Sequence, residues 1–176
     1  MIKGKLTGLR AIEQEDLNQL KDWRNLPQFR RNFREVRELG SQSQLAWFNS
    51  LQTNSNRDFM FSIVELESGK LIGACGLLYI NWIIRSADFS FYIGKDELYI
   101  DDEGMALDAA TILINYGFEN LNLHKIWMEL YEFDEKKIKF FQQNFNFKTD
   151  GVLRDNCYED GRYYNSLIIS LLATDK

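Results

Sequence analysis

Between Asp102 and Asn120 the apolar residues Met105, Leu107, Ala109, Ala110, Ile112, Leu113, Tyr116 and Phe118 recur at helical spacing but spread over more than one stripe. A helix apolar over so much of its circumference must lie in a core, and the element it covers is written just upstream. "FMFSIVE", "KLIGACGLLYI" and "RSADFSFYIG" are rich in β-branched and aromatic residues and are separated by turn signals, so they read as three strands of a meander. A buried helix following a meander predicts an α/β (α+β) chain whose sheet is covered by helices.

The flanking segments extend this pattern. "LTGLRAI" predicts a first strand, and Glu15–Arg24 a helix with Leu17, Leu20 and Trp23 on one face, ended by Pro27, the single proline. A second helix is expected from about Ser43 to Leu51, then a loop over 54–57. Downstream, "HKIWMELY" reads as a strand and "DEKKIKFFQQNF" as an amphipathic helix opened by Asp134. The last segment, "GVLRDNCYEDGRYYNSLIISLL", reads as a hairpin turned at Asp160-Gly161, a pair that accepts positive φ. With 176 residues and no repeat, one domain over 1–176 accounts for the whole chain.

Charge and composition exclude several function classes. A net charge of -5 argues against general nucleic-acid or anionic-membrane partners. No apolar run reaches bilayer-spanning length and the first residues lack a signal-peptide pattern, so a cytoplasmic protein is expected. Cys75 and Cys157 lie in strand-like contexts and read as buried free thiols. With His124 the only histidine and no CxxC spacing, no metal site is expected.

The segments "LRAIEQEDLNQLKDWRNLPQFRRNF", "WFNSL", "GKLIGACGL", "RSADFSFYIG", "INYGFENLNLHKIWMELYE" and "GVLRDNCYEDGRYYNSLIISLL" occur in this order along nearly the whole chain. Together they resemble the GNAT N-acetyltransferase family, in its ribosomal-protein-alanine, spermidine and amino-sugar acetyltransferase branch. The resemblance implies a mixed, mostly antiparallel sheet of about seven strands flanked by about four helices, with two central parallel strands splayed apart. It implies acetyl transfer from acetyl-CoA, as cosubstrate, to a primary amine by direct attack, with no metal.

The resemblance also assigns sites. Phe91, Tyr92 and Ile93 would offer backbone to the pantetheine arm, and a strand N–H would stabilise the oxyanion. Asp88 is the first candidate for general base, with Glu129 second; the alternative for Asp88 is an outward-facing residue or an ion pair with Arg85. The helix opened by Asp134 carries Phe141 where the family pattern has its acidic tyrosine, so the leaving thiolate's proton falls to water or to another group such as Tyr131. Asp134, Lys137 and Phe141 would lie along CoA, with Lys136, Lys137 and Lys139 near its phosphates.

CoA pyrophosphate would meet the loop Asp101, Asp102, Glu103, Gly104, Met105, Ala106, where the small residues fit the family pattern and the acids do not. Six acidic side chains and one lysine lie between Lys95 and Asp108. Either the acids cap the helix and face solvent, leaving backbone N–H groups for phosphate, or they oppose the anion. In the second case the chain is a non-catalytic binding or sensing module, or one that does not use CoA. The acceptor wall is the stretch Lys21–Glu38, with six basic and three acidic side chains. Arg24, Arg30, Arg31, Arg34 or Arg37 would grip an anionic group on a small amine acceptor, as on a nucleotide-linked amino sugar; Trp82 would border it. A monomer or homodimer is expected.

Overall fold

The β-branched and aromatic runs between Phe59 and Ile93 are buried over consecutive residues, so the sheet is covered on both faces there, and the strands pair as the turns between them dictate. The computed structural model describes residues 1–53 and 56–175. The strands are β1 (Ile2–Lys3), β2 (Thr7–Ala11), β3 (Phe59–Glu65), β4 (Leu71–Asn81), β5 (Ser86–Ile93), β6 (Lys125–Tyr131), β7 (Lys148–Glu159) and β8 (Arg162–Leu172). They form one eight-stranded sheet in the order β1-β2-β3-β4-β5-β6-β8-β7, antiparallel except for β5 and β6. Ile2–Lys3, which pairs with Leu9 and Gly8, is a strand beyond the expected seven. The β7–β8 turn has positive φ at both Asp160 (50°) and Gly161 (82°), as the Asp-Gly signal requires.

Five α-helices cover the sheet among the described residues: α1 (Leu17–Asn25), α2 (Pro27–Arg30), α3 (Ser41–Thr53), α4 (Met105–Asn115) and α5 (Glu135–Phe145). Pro27 does not end helical structure. It sits at the first position of α2, where its missing N–H costs nothing, and so opens a one-turn helix not expected from the sequence. The expected loop at 54–57 is a turn at 56–57, and positions 54 and 55 lie outside the described residues.

The apolar helix α4 is the crossover between the two parallel strands. It buries Met105, Ala106, Ala109, Ala110, Ile112, Leu113 and Ile114, each large aliphatic contributing about 1.5–3 kcal/mol, while Leu107 is left 40% exposed. It starts at Met105, three residues later than expected, because Gly104 adopts φ 95° and cannot continue a right-handed helix upstream. Asp108 ties α4 to the sheet edge: its carboxylate accepts from the amides of Lys5, Leu6 and Thr7 at 2.8–3.0 Å and from Thr7 Oγ1 at 2.8 Å. Cys75 is a buried free thiol, whereas Cys157 is only half-buried.

Candidate active site

The crossover through α4 leaves β5 and β6 only a short parallel ladder. Ser86, Ala87 and Asp88 pair with Lys125, Ile126 and Trp127, and there the pairing stops, while β6 continues to Tyr131 on β8 alone. Beyond Asp88 the two strands therefore part. A cavity of about 460 Å³ lies at this opening, walled by α1, α3 and the arginine-rich segment after α2. Alternation along β5 sends Asp88, Ser90 and Tyr92 to the cavity, and carries the rings of Phe89 and Phe91 onto Phe141 of α5 at 5.2 and 6.0 Å. Phe29 and Phe33 stand edge-on to Tyr92 and Tyr99 at 5.2–6.3 Å, which fixes the arginine-rich wall against the sheet.

Asp88 is 2% exposed and is held by the Arg34 guanidinium, not by Arg85, which instead reaches Asn122. Burial pushes the Asp88 carboxyl up from its ordinary value, and Arg34 pulls it only partway back. Glu129, also on the cavity wall, accepts from Asn156 Nδ2 at 2.7 Å and Ser166 Oγ at 2.8 Å. Tyr131 lines the same space, its hydroxyl pushed up chiefly by burial.

Arg24 stands apart from the other cavity arginines. Arg34 has Asp88 and Arg37 has Glu35, but no carboxylate lies within ion-pair distance of Arg24 among the described residues. Its guanidinium stacks 4.1 Å from the centre of the Phe33 ring, and its Nε is buried without a hydrogen-bond partner. Burial accordingly lowers its pKa. An orphaned, desolvated donor facing a cavity costs stability unless a ligand satisfies it.

At the splay itself sits a buried polar group from α5. Lys137 is 4% exposed; its Nζ donates to the Phe91 carbonyl at 2.6 Å and lies 3.4 Å from the Tyr99 hydroxyl. Tyr99 in turn donates to Asp134 Oδ2 at 2.7 Å, and Asp134 caps α5 by accepting from the Lys137 amide. Burial drives Lys137 down to about 8 despite the opposing pull of Asp134 and Asp88. Lys137 was expected at CoA phosphates near the solvent, yet helical spacing puts it on the same face as Phe141, which is in the core.

The acidic loop follows neither sequence reading in full. Asp101 does cap the helix, but from a buried position: Oδ2 accepts from the amides of Glu103 (2.9 Å) and Met105 (3.0 Å), and Oδ1 from Ala106 (2.5 Å). The α4 terminus thus converges on an anion, and the chain's own carboxylate supplies it. Asp102 and Glu103 are exposed, as the capping reading expects. On β5, the Ile93 amide donates to the Tyr99 carbonyl at 2.8 Å, so this amide and the Phe91 carbonyl are both engaged within the chain.

Other expected residues lie elsewhere. Trp82 is 46% exposed on the β4–β5 turn, donating to the Asn56 carbonyl and packing on Phe59, and is not part of the cavity wall. Arg30 pairs with Glu38, and Arg31 pairs with Glu159 and Asp160 while stacking on Phe133. Phe141 is core and offers no proton donor. Tyr99 was not singled out from the sequence, since it belongs to an irregular segment with φ 63° that no periodicity marks.

A splayed parallel pair with an anion-seating helix after the first strand defines an acyltransferase architecture. The chain belongs to the acetyltransferase (GNAT) domain family, whose model matches residues 9–168, and it is an N-acetyltransferase. It is similar to the uncharacterized N-acetyltransferase p20 of Bacillus licheniformis, with 29% identity over 172 residues, 95% of this chain and 93% of the relative. Among solved structures it is similar to the spermidine N-acetyltransferase of Vibrio cholerae in complex with CoA and spermine. That match has 25% identity, a TM-score of 0.84 and 97% coverage of each chain. A dodecameric structure of the same Vibrio cholerae enzyme aligns at 25% identity and TM-score 0.78, over 96% of this chain and 95% of that one. That assembly is larger than the monomer or homodimer expected from the sequence. No helix among the described residues is long and apolar enough to cross a membrane.

Proposed function

We propose that this chain, as one domain over residues 1–176, moves the acetyl group of acetyl-CoA to the primary amine of a small acceptor that carries an anionic group. The observation behind the acceptor class is Arg24, a half-buried cation on the wall of the cavity that holds Asp88, whose Nε is buried and unsatisfied and which has no carboxylate partner among the described residues. A carboxylate or phosphate on the acceptor satisfies it, as on a nucleotide-linked amino sugar. A polyamine brings only further positive charge to it.

Asp88, its carboxyl raised by burial, takes the proton from the attacking amine, directly or through water, with Glu129 as the second carboxylate in reach of the cavity. Backbone on the β5 edge at Phe91 to Ile93 aligns the thioester once Lys137 Nζ leaves the Phe91 carbonyl and the Ile93 amide leaves the Tyr99 carbonyl, and an edge N–H polarises the thioester carbonyl. The amides of Glu103, Met105 and Ala106 suit a pyrophosphate oxygen because they already hold a carboxylate, and the Asp101 side chain must rotate out to release them.

The test is an acceptor screen followed by thiol release from acetyl-CoA, covering amino sugars, their nucleotide conjugates, polyamines and peptides. Anionic amines are expected to give the highest kcat/KM. A preference for spermidine over every anionic amine overturns the acceptor assignment. Absence of both turnover and any thermal shift with millimolar acetyl-CoA overturns the donor assignment.

A further inference from the structure

Among the described residues, Lys137 is the one buried ammonium, and acceptor binding leaves it unused. Its helix packs on one face of β5, where Phe141, one turn along, touches Phe89 and Phe91. Lys137 nevertheless lines the cavity together with Asp88 and Tyr92. The side chain therefore passes through the gap between β5 and β6, and its charge ends at the Phe91 carbonyl, 2.6 Å away. That is the strand edge against which the acetyl thioester is aligned in the reading above.

We infer that Lys137 donates the proton that the CoA sulfur takes up as the thioester breaks, an assignment that rests on the acetyl-transfer reading. The acceptor nitrogen forms its bond to the carbonyl carbon and gives a proton to Asp88. The carbon–sulfur bond then breaks with its electron pair on sulfur, and an N–H of the Lys137 ammonium breaks with its pair left on nitrogen. The products are the amide, the free thiol and a neutral lysine. Water entering the cavity carries the proton from Asp88 away and restores the one on Lys137.

Other donors are less suited. Phe141 has no hydroxyl, and Tyr131 is pushed up by burial, which makes it a weaker acid. Tyr99 already donates to Asp134. Burial brings Lys137 to about 8, close to the value of about 8.5 for an ordinary thiol, so proton transfer between them is nearly balanced. The charged and titratable groups facing Lys137 are Asp134 on its own helix, Tyr99, Asp88 on β5, and Arg24 and Arg34 on the acceptor wall, with Glu129 and Tyr131 across the cavity. The two carboxylates nearest it and the two arginines pull in opposite directions, which leaves desolvation dominant.

The experiment compares wild type, Lys137→Met and Lys137→Arg on acetyl-CoA and on an acetyl aryl thioester, whose leaving group needs no proton. Both variants are expected to lose about 100-fold or more in kcat with acetyl-CoA and less than about tenfold with the aryl thioester. Arginine fails because its guanidinium does not release a proton at neutral pH. The wild-type kcat with acetyl-CoA is expected to fall above about pH 8, and Lys137→Met to lack that limb. Full activity in Lys137→Arg, or equal losses on the two donors, overturns the assignment and leaves Lys137 a structural cation. Should the variants not fold, an NMR titration of the lysine side chains in the wild type with CoA bound takes their place. A Lys137 that keeps its proton to pH 10 overturns the assignment. A wild type that neither turns over nor is stabilised by CoA removes the reading beneath it as well, and is separated by that result from failure of Lys137 alone.

Discussion

Replacing Asp101 by alanine separates the two jobs of the α4 terminus. The Asp101 carboxylate satisfies the amides of Glu103, Met105 and Ala106 from a buried position. A side-chain cap of this kind is worth about 0.5–2 kcal/mol, and a carboxylate on a helix dipole adds about 0.3–1 kcal/mol. Asp101→Ala is therefore expected to lower the stability of the free protein by about 1–3 kcal/mol. If CoA pyrophosphate needs the same amides, the wild type spends that energy on each binding event and the variant does not. At about 1.4 kcal/mol per tenfold, CoA should bind the variant roughly 5- to 150-fold more tightly. Calorimetric titration with CoA measures this directly, with pantetheine as the control because it carries no phosphate. The mirror result should appear in thermal melts, where saturating CoA restores the stability that the variant lost. Unchanged or weaker CoA binding by Asp101→Ala, or an equal gain for pantetheine, refutes the shared-amide argument. Asp102→Ala, at an exposed neighbour, should change CoA affinity by no more than about twofold.

Three further predictions follow from the same structure. Arg24→Gln removes a desolvated cation that has no carboxylate partner among the described residues, so its melting temperature should hold or rise while KM for the anionic acceptor climbs about 10- to 100-fold at similar kcat; a parallel fall in stability would make Arg24 structural. Asp108→Ala strips the partner from three amides and a hydroxyl and should cost about 2–3 kcal/mol by denaturant unfolding. Burial pushes the Asp108 carboxyl up, but the amides of Lys5, Leu6 and Thr7 and the Thr7 hydroxyl more than offset it, so its pKa is lowered in the folded state. Its contribution is then complete above the unfolded carboxylate range and is lost as pH falls through the lowered value, and acid melts of wild type and variant should converge there. Gly94→Ala would put a Cβ 2.0 Å from Trp23 Cδ2, pushing α1 off the end of β5; a loss of more than about 1 kcal/mol is expected by thermal melting, together with weaker acceptor binding.

Much of the fold is legible because its signals are local. β-branched and aromatic runs between turn signals fix β3, β4 and β5, the apolar circumference of α4 demands a sheet beneath it, and Asp160-Gly161 writes the β7–β8 turn into two residues. The misreadings are also local in origin. Pro27 as a helix breaker and as a helix opener give the same single-residue signal, and only the chain direction set by Leu26, with ψ 126°, separates them. Of the proposed acceptor wall, sequence supplied the arginine cluster but not its sorting. Arg24, Arg34 and Arg37 line the cavity, whereas Arg30 and Arg31 pair with Glu38, Glu159 and Asp160 on the outside.

Sequence alone determined the layer order, which rests on periodicity and turn residues, and by the resemblance of its segments it pointed to the family and to the candidates for acetyl transfer. Tertiary structure decided what those residues do. It turned Asp88 toward the cavity and gave it Arg34, seated Asp101 on the amides of α4, and drew Lys137 through the gap between β5 and β6 to Phe91. The reason is physical: burial and partner charges set the behaviour of an ionisable side chain, and for Asp88 and Lys137 the partners lie 54 and 46 positions away along the chain.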